Sequence, residues 1–556
     1  MPAVTNQVTP SCAAKPNSPE IPKRILTPLK PEVFSKYLSN YPDRIFVANL
    51  IHNITHGADI GYTGPKHSRS VPNSLSARIH ECALTEAIKK EVALSHSIGP
   101  FSAPPLSDFI VNSLAVRPKP NGSVRVIMDL SRPTGASVND FIDKEAFSVS
   151  SSTLDNAIKK IAKVGKGCYL AKLDIKHAYR LVPVRPADWP LLGFQVADKY
   201  YFDIVLPFGC RSSAYLFCMV SDAIHWIVAD QYGKDALDHY VDDYLLFEQT
   251  KALCRKLMRC FCRVNSDLGV PVADEKTEGP AQILKYLGIL IDTVAQTLSL
   301  PEGKLNEILE KLREISGRDS CSQTELQSLI GSLVFAAKCV PAGRLFTRRM
   351  IALLSGLEKE APVVLNADFS LDVDWWLEFL PKWNGTAPFL SVDWLGPSVT
   401  HLFTDASATV GFGGYLNGRW FCDRWPEFIT PTALPINLME FIPIYIACVL
   451  WESDFAGKKI EFHCDNLGVA QAWRSYGSSN RAILSVMRRI VGIAARSNFA
   501  INIRHVPGSK NEIADALSRL QISRFRKLCP NAAIEPTPVP SFLHTVLRES
   551  LSLLNS

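Results

Sequence analysis

His239-Tyr240-Val241-Asp242-Asp243-Tyr244-Leu245-Leu246-Phe247 sets two adjacent acids between apolar β-formers. Residues of that kind favour a strand on each side of a tight turn, which predicts a hairpin with both carboxylates at its tip. A bare Asp-Asp pair is usually a solvated turn. Here the flanks are apolar, and acids held close to a core need compensating charge. A divalent cation supplies it. Upstream, Cys168-Tyr169-Leu170-Ala171-Lys172-Leu173-Asp174-Ile175 reads as a second strand with Asp174 at its end. The alternative for Asp174 is a helix cap before Lys176-His177-Ala178-Tyr179. Three carboxylates on adjacent strands suit two Mg²⁺ ions about 3.5–4 Å apart, an arrangement that serves in-line phosphoryl transfer. Mn²⁺ suits the same oxygen ligands.

At these residues the chain resembles reverse transcriptases. Tyr240-Val241-Asp242-Asp243 matches their Tyr-x-Asp-Asp signature, and Asp174 matches the lone aspartate of their first palm motif. The resemblance continues in Val116-Arg117-Pro118-Lys119-Pro120-Asn121-Gly122-Ser123-Val124-Arg125, which is similar to the fingers hairpin that grips a nucleoside triphosphate. Asn121-Gly122 is a strong two-residue turn signal. Lys119 and Arg125 would then face the phosphates; otherwise they are solvated residues of an edge hairpin. Leu206-Pro207-Phe208-Gly209 resembles the motif lining the templating pocket, with an ordinary strand-to-helix turn as the alternative. The following Ser212-Ser213-Ala214-Tyr215 lacks the proline common in the family, so a slightly different helix start is expected. Tyr179 lies five residues after Asp174, where the family carries an aromatic wall beneath the incoming sugar; the alternative is a core aromatic. Lys276 falls where the family has a lysine assigned to protonating pyrophosphate, and it reads equally as a surface lysine. Tyr286-Leu287-Gly288 resembles the primer-grip turn.

A second set of acids follows. Leu402-Phe403-Thr404-Asp405 ends a strand with an acid, and Asn417-Gly418 predicts a hairpin between Gly411–Leu416 and Arg419–Cys422. Asn437-Leu438-Met439-Glu440 opens an apolar helix; its spacing also fits a capping box. Ile460–Cys464 is a strand leading into Asp465, and Asn511–Arg519 is a helix carrying Asp515, which otherwise reads as a surface residue. The order strand-acid, hairpin, helix-acid, strand-acid, helix-acid resembles the ribonuclease H fold over residues 400–520. Such a site hydrolyses the RNA strand of a hybrid with two metal ions. The mobile histidine of many ribonucleases H has no counterpart in Gly508-Ser509-Lys510, and His505 comes too early. His463 and His505 read as hydrogen-bonded strand histidines rather than metal ligands, and Trp375-Trp376 as a packed helix rather than a base-stacking platform.

The remaining features set bounds. The chain has 556 residues, 47% hydrophobic and 21% charged, enough for several domains each with its own core. A net charge of +6 permits a nucleic-acid partner without demanding one. Fourteen cysteines show no Cys-x-x-Cys pair, which excludes a zinc-finger pattern and reads as small buried hydrophobes in a reducing compartment. No secretory h-region or membrane-length apolar run is present, so an intracellular protein of cytoplasm or nucleus is expected, without a membrane partner.

The predicted fold class is α/β (α+β) and multidomain: a right-hand polymerase plus connection and a ribonuclease H-like domain. The expected boundaries are a flexible leader at 1–30, a helical extension at 31–110, fingers and palm at 111–300 and thumb at 301–355. A connection at 356–397, the ribonuclease H at 398–520 and a proline-containing tail at 521–556 complete the chain. Leu191-Leu192-Gly193-Phe194, Leu326–Gly331 and Arg524-Phe525-Arg526 make tyrosine-recombinase (DIRS-like) retrotransposons the most similar group, with long-terminal-repeat elements next. The resemblance implies RNA template, DNA primer, RNA–DNA hybrid and deoxynucleoside triphosphates as partners, beside other retroelement proteins such as a recombinase and a Gag-like protein. The rival readings are a catalytically dead nucleic-acid-binding relic and a stand-alone ribonuclease H.

Overall fold

The computed structural model describes residues 19–118, 124–149, 152–358, 361–383, 387–388, 399–429, 433–456, 458–497 and 499–555. The fold is mixed α/β and multidomain, and it divides into two compact units, Met1–Leu284 and Lys285–Ser556. No helix among the described residues is long and apolar enough to cross a membrane.

Among the described residues, the first unit contains two sheets. In the larger, Ile110–Pro118 runs parallel to Arg69–Ser70 and Gly193–Val196 and antiparallel to Val124–Asp129. Its first five residues are buried, and the buried Asn112 amide nitrogen donates to the carbonyls of Leu191 and Gly193 at 2.8 and 3.0 Å, while its Oδ1 has no partner. The smaller sheet has the order Glu278–Ala281, Tyr169–Asp174, Asp243–Glu248, Leu237–Tyr240, with every neighbour antiparallel. Helix Lys251–Leu268 covers it. Cys254, Leu257, Phe261, Val264 and Leu268 recur every three or four residues and form its buried stripe. Thr250 caps the start by accepting from the Leu253 amide, and Gly269 at φ +79° ends the helix. Helix Ser213–Tyr232 begins at Ser213, whose hydroxyl donates to the Pro207 carbonyl at 2.8 Å; Ser212 makes no side-chain cap.

Two sequence expectations change here. Of the leader, residues 1–18 lie outside the described residues, but Leu29 is buried and the Thr27 hydroxyl donates to Leu181 at 2.8 Å, so the end of that segment is packed. Residues 31–110 are helical only in part: Ser97–Phe101 pairs with Lys199–Asp203 as an edge strand of the larger sheet.

In the second unit, the antiparallel strands Ile289–Asp292 and Thr297–Ser299 come first, and helices Glu302–Ile315 and Gln323–Ala336 follow. Ile308, Leu309 and Leu312 are buried while Leu305 is only half-buried. Part of the expected connection, at 359–360, 384–386 and 389–397, lies outside the described residues. Helix Ala367–Trp383 follows, with Trp376 fully buried and the Trp375 ring stacked on Phe346 at 3.8 Å, so both tryptophans are spent on packing.

The five-stranded sheet of this unit has the order Arg419–Arg424, Gly411–Leu416, Val399–Ala406, Lys459–Cys464, Ala500–His505. The first three strands are antiparallel, and the last two run parallel to Val399–Ala406 and to one another. Asn417 and Gly418, at φ +46° and +90°, make the two-residue turn expected from their chemistry. The proline-containing tail is folded. Helix Ile522–Leu528 places Phe525, with Cys529 and Ala532, against Trp420, whose indole donates to the Ala533 carbonyl at 2.7 Å.

Candidate active sites

Register alone builds the first acidic centre. Asp174 stands opposite Asp243, and Tyr240 pairs with Asp243, leaving Val241-Asp242 as the turn. Asp174 therefore ends a strand and caps no helix. Val241 sits at φ +58°. A β-branched residue there is strained, at a cost of about 1–3 kcal/mol. Its carbonyl accepts from the Ser221 hydroxyl, and the Tyr244 phenol donates to the Ser221 carbonyl at 2.9 Å. Sequence reading missed Ser221; its only signal is a small polar residue among the buried apolar positions of helix Ser213–Tyr232.

Burial holds the Asp242 carboxyl above its usual range, with Asp174 adding repulsion. Asp243 is pushed up to about 6 by burial, then by Asp242 and Asp174. Lys276 is not an idle surface lysine: its Nζ donates to Asp174 Oδ1 at 2.9 Å, and that bond raises its own pKa. Beside these acids lies a cavity of about 480 Å³, with Arg125, Asp174, Tyr179, Phe208, Asp242 and Lys276 in its wall. Arg125 also lowers the cost of ionising Asp242 through space. Tyr179 is half-buried, its ring 5.2 Å from that of Phe208 and 5.7 Å from buried Phe217. Burial, then Asp242, pushes its phenol up to about 12, so it stays neutral.

Gly209 is not in the cavity wall. It shapes the loop that presents Phe208. Its φ is +109°, and a Cβ there would sit 2.0 Å from the Met128 carbonyl oxygen. Asn139, which the sequence did not single out, fixes the same loop by donating to the Gly209 carbonyl at 2.9 Å and accepting from the Arg211 amide at 2.8 Å. Gly209→Ala should therefore cost at least about 2 kcal/mol, the scale of forced backbone strain. Denaturant unfolding of the purified variant measures it, and a midpoint equal to the parent's would refute the steric account.

Lys119 lies outside the described residues. Arg125 follows on Val124–Asp129, directly opposite Arg117. Tyr286, Leu287 and Gly288 belong to the second unit, where Tyr286 is buried and Leu287 and Gly288 turn at φ +46° and +80°.

The second acidic centre gathers around the end of Val399–Ala406. Asp405 is 5% exposed and Glu440, on helix Ile436–Leu450, 3%. Glu440 does not cap its helix: the helix starts after Pro435 without a side-chain cap, and Asn437 instead accepts from Asn466 at 2.8 Å. Burial, then Asp405 and Asp465, raises Glu440 well above the carboxylate range. Burial raises Asp405 to about 6 against the Ser518 hydroxyl that donates to it, with Asp465 and Asp515 adding repulsion. Ligand atoms of Glu440, Cys464 and Asp465 lie within 4.8 Å of one another. Asp515 is no free surface acid. Burial opposes its ionisation, but Arg519 and Arg524, at 2.6 and 2.7 Å, outweigh burial and lower its pKa. Asn511 ties this helix to the first strand by donating to the Thr404 carbonyl at 3.0 Å. Asp405 and Asp465 thus both act on Glu440, and Asp465 and Asp515 both act on Asp405, which gathers the four sequence-selected acids into one centre.

Residues 117–291, which carry the first centre, match the family described as Reverse transcriptase (RNA-dependent DNA polymerase). The chain is 23% identical over 299 residues to the Gag-Pro-Pol polyprotein of Human T-cell leukemia virus 2, covering 52% of this chain and 18% of that protein. It is 28% identical over 165 residues to the putative enzymatic polyprotein of Cassava vein mosaic virus, covering 30% and 24%. Against the retrovirus-related Pol polyprotein from transposon gypsy of Drosophila melanogaster it is 21% identical over 227 residues, covering 41% and 20%. The matches span less than a quarter of the length of these relatives. Among solved structures, the foamy viral protease-reverse transcriptase in complex with dsDNA aligns with 87% of this chain and 99% of that one, at 16% identity and a TM-score of 0.47.

Proposed function

Taking the reverse transcriptase match of residues 117–291 as premise, we propose that the chain is an RNA-directed DNA polymerase joined to a ribonuclease H. The observation that carries the polymerase is the convergence of Asp174, Asp242 and Asp243 beside a cavity walled by Lys276, Arg125 and Tyr179. The strand and helix order around Asp405, Glu440, Asp465 and Asp515 supports the ribonuclease H. Residues 111–300 form the fingers and palm of the right-hand polymerase in this reading, 301–355 the thumb and 398–520 the ribonuclease H.

Both centres fit divalent cations. Their donors are carboxylate oxygens, and burial with mutual repulsion raises the pKa of Asp242, Asp243, Asp405 and Glu440, the mark of negative charge lacking a counter-ion. Asp174, Asp242 and Asp243 would hold the ions of one centre, and Asp405, Glu440, Asp465 and Asp515 those of the other. Mg²⁺ or Mn²⁺ bound there supplies charge neutralisation for phosphoryl transfer. The chain's own side chains do the rest. Arg125 and Lys119 bind the triphosphate of an incoming nucleotide. Lys276, already charged and hydrogen-bonded to Asp174, is placed to give a proton to departing pyrophosphate. Phe208 and Gly209 border the templating base, and Tyr286-Leu287-Gly288 steadies the primer strand. RNA template, DNA primer, hybrid and deoxynucleoside triphosphates are then the partners, and a tyrosine-recombinase retroelement the source.

Lengthening of a DNA primer on an RNA template tests the polymerase, and shortening of the RNA strand in a labelled hybrid tests the ribonuclease H. A folded chain that binds the hybrid and does neither is the inactive relic.

A further inference from the structure

We propose that His401, Glu461 and His463 form a zinc-binding site on the five-stranded sheet, separate from both acidic centres. Val399–Ala406 and Lys459–Cys464 run parallel with His401 beside Glu461 and Phe403 beside His463. Glu461 and His463 are two residues apart, so they share a sheet face, and the register brings His401 onto it. His401 precedes Asp405 by four residues on one strand, about 13 Å at the usual rise.

The distances fit a metal. His401 Nδ1 lies 3.0 Å from His463 Nε2 and 3.3 Å from Glu461 Oε2, and His463 Nε2 lies 3.6 Å from Glu461 Oε2. Zinc binds imidazole nitrogen and carboxylate oxygen at about 2.0–2.2 Å, which sets neighbouring ligands of a tetrahedron about 3.3–3.5 Å apart. The three separations bracket that edge. All three candidate ligand atoms fall within 4.8 Å of one another.

Without a cation the cluster is poorly satisfied. Glu461 is 2% exposed, yet its Oε2 has no hydrogen-bond partner, while its Oε1 accepts from Asn502 at 3.0 Å. A buried carboxylate oxygen left in that state is costly, and a bound cation removes the cost. The nearest permanently charged group is Arg504 Nη1, at 3.7 Å and 56% exposed, a loose partner that can turn to solvent. The His463 ring is held parallel to Phe403 at 4.6 Å and 17°, which fixes the plane in which its Nε2 meets the cluster. His401 is 49% exposed, so the fourth position opens to water. Two imidazoles and one carboxylate select a borderline transition-metal ion and disfavour Mg²⁺, which the all-oxygen centres take instead.

Zinc here would tie the strand that carries Asp405 to the strand that leads into Asp465. The test uses the full chain, stripped with a chelator and titrated with Zn²⁺ in excess Mg²⁺ so that the carboxylate centres are filled. One zinc per chain is expected, with a rise in melting temperature on its addition. His401→Ala, at a half-exposed position, should stay folded and lose both effects. Its affinity should fall at least the about 10–100-fold that losing even an outer-shell partner costs. Co²⁺ in place of zinc should give the visible absorption of a four-coordinate site in the parent and not in the variant. Failure of the parent to bind zinc in excess Mg²⁺ would overturn the proposal. So would zinc affinity in folded His401→Ala and Glu461→Gln equal to the parent's.

Discussion

Asp242→Asn is expected to lower DNA synthesis by more than about a thousandfold while RNA-strand cleavage of a hybrid continues, and Asp465→Asn to do the reverse. Each substitution removes a charged oxygen from one cluster. Asp242 turns at the tip of the Tyr240–Asp243 hairpin in the first unit, whereas Asp465 follows strand Lys459–Cys464 in the second. Loss of a single hydrogen-bond donor from an oxyanion hole already costs about 10²–10³ in rate. Removing a charge that faces two others should cost more. Asparagine keeps the shape of aspartate, and Asp242 lies under a raised pKa because burial penalises its charge, so neither fold nor hairpin should suffer. The measurement pairs primer extension with hybrid cleavage on the same preparations. Loss of both activities in folded Asp465→Asn would contradict the separation into two centres.

Tyr179→Val is expected to admit ribonucleotides, reducing the preference for deoxynucleotides in kcat/KM by about a hundredfold, the scale on which a pocket's shape discriminates close analogues. Tyr179 lines the cavity beside Asp174 and Asp242, braced by Phe208 and Phe217. On our reading a 2′-hydroxyl on the incoming sugar meets this ring, and discrimination rests on that collision. A packing role predicts something else. Valine would then leave a void, cost about 3 kcal/mol of stability, and leave sugar choice untouched. Steady-state kinetics with one ribonucleotide and its deoxy counterpart, in parent and variant, separates the two, since an unchanged ratio removes the ring from sugar selection.

Legibility in the sequence followed range. The hairpin carrying Asp242 and Asp243, the Asn417-Gly418 turn and the stripe of helix Lys251–Leu268 are written in residues within two turns of each other, and the structure forms them there. What depends on distant partners was hidden. Ser221 matters because its hydroxyl meets the Val241 carbonyl 20 residues away, and Asn139 because it holds Gly209 at a separation of 70. No local pattern marks either. Glu440 shows how two local rules compete: capping-box spacing is present, but Pro435 starts the helix and burial turns the carboxylate toward Asp405. The packing of the tail depends on distant partners too: Thr537 donates its amide to the Trp420 carbonyl, and Phe525 packs against the same tryptophan. The His401, Glu461 and His463 cluster needs strand register across about 60 residues, which the sequence does not display.

The most direct measurement is extension of a labelled DNA primer annealed to an RNA template by the purified chain in Mg²⁺ and all four deoxynucleoside triphosphates, with Asp242→Asn as the blank. Template-length DNA is expected from the parent and none from the variant. A folded parent that binds the primer–template and adds no nucleotide would contradict the polymerase reading.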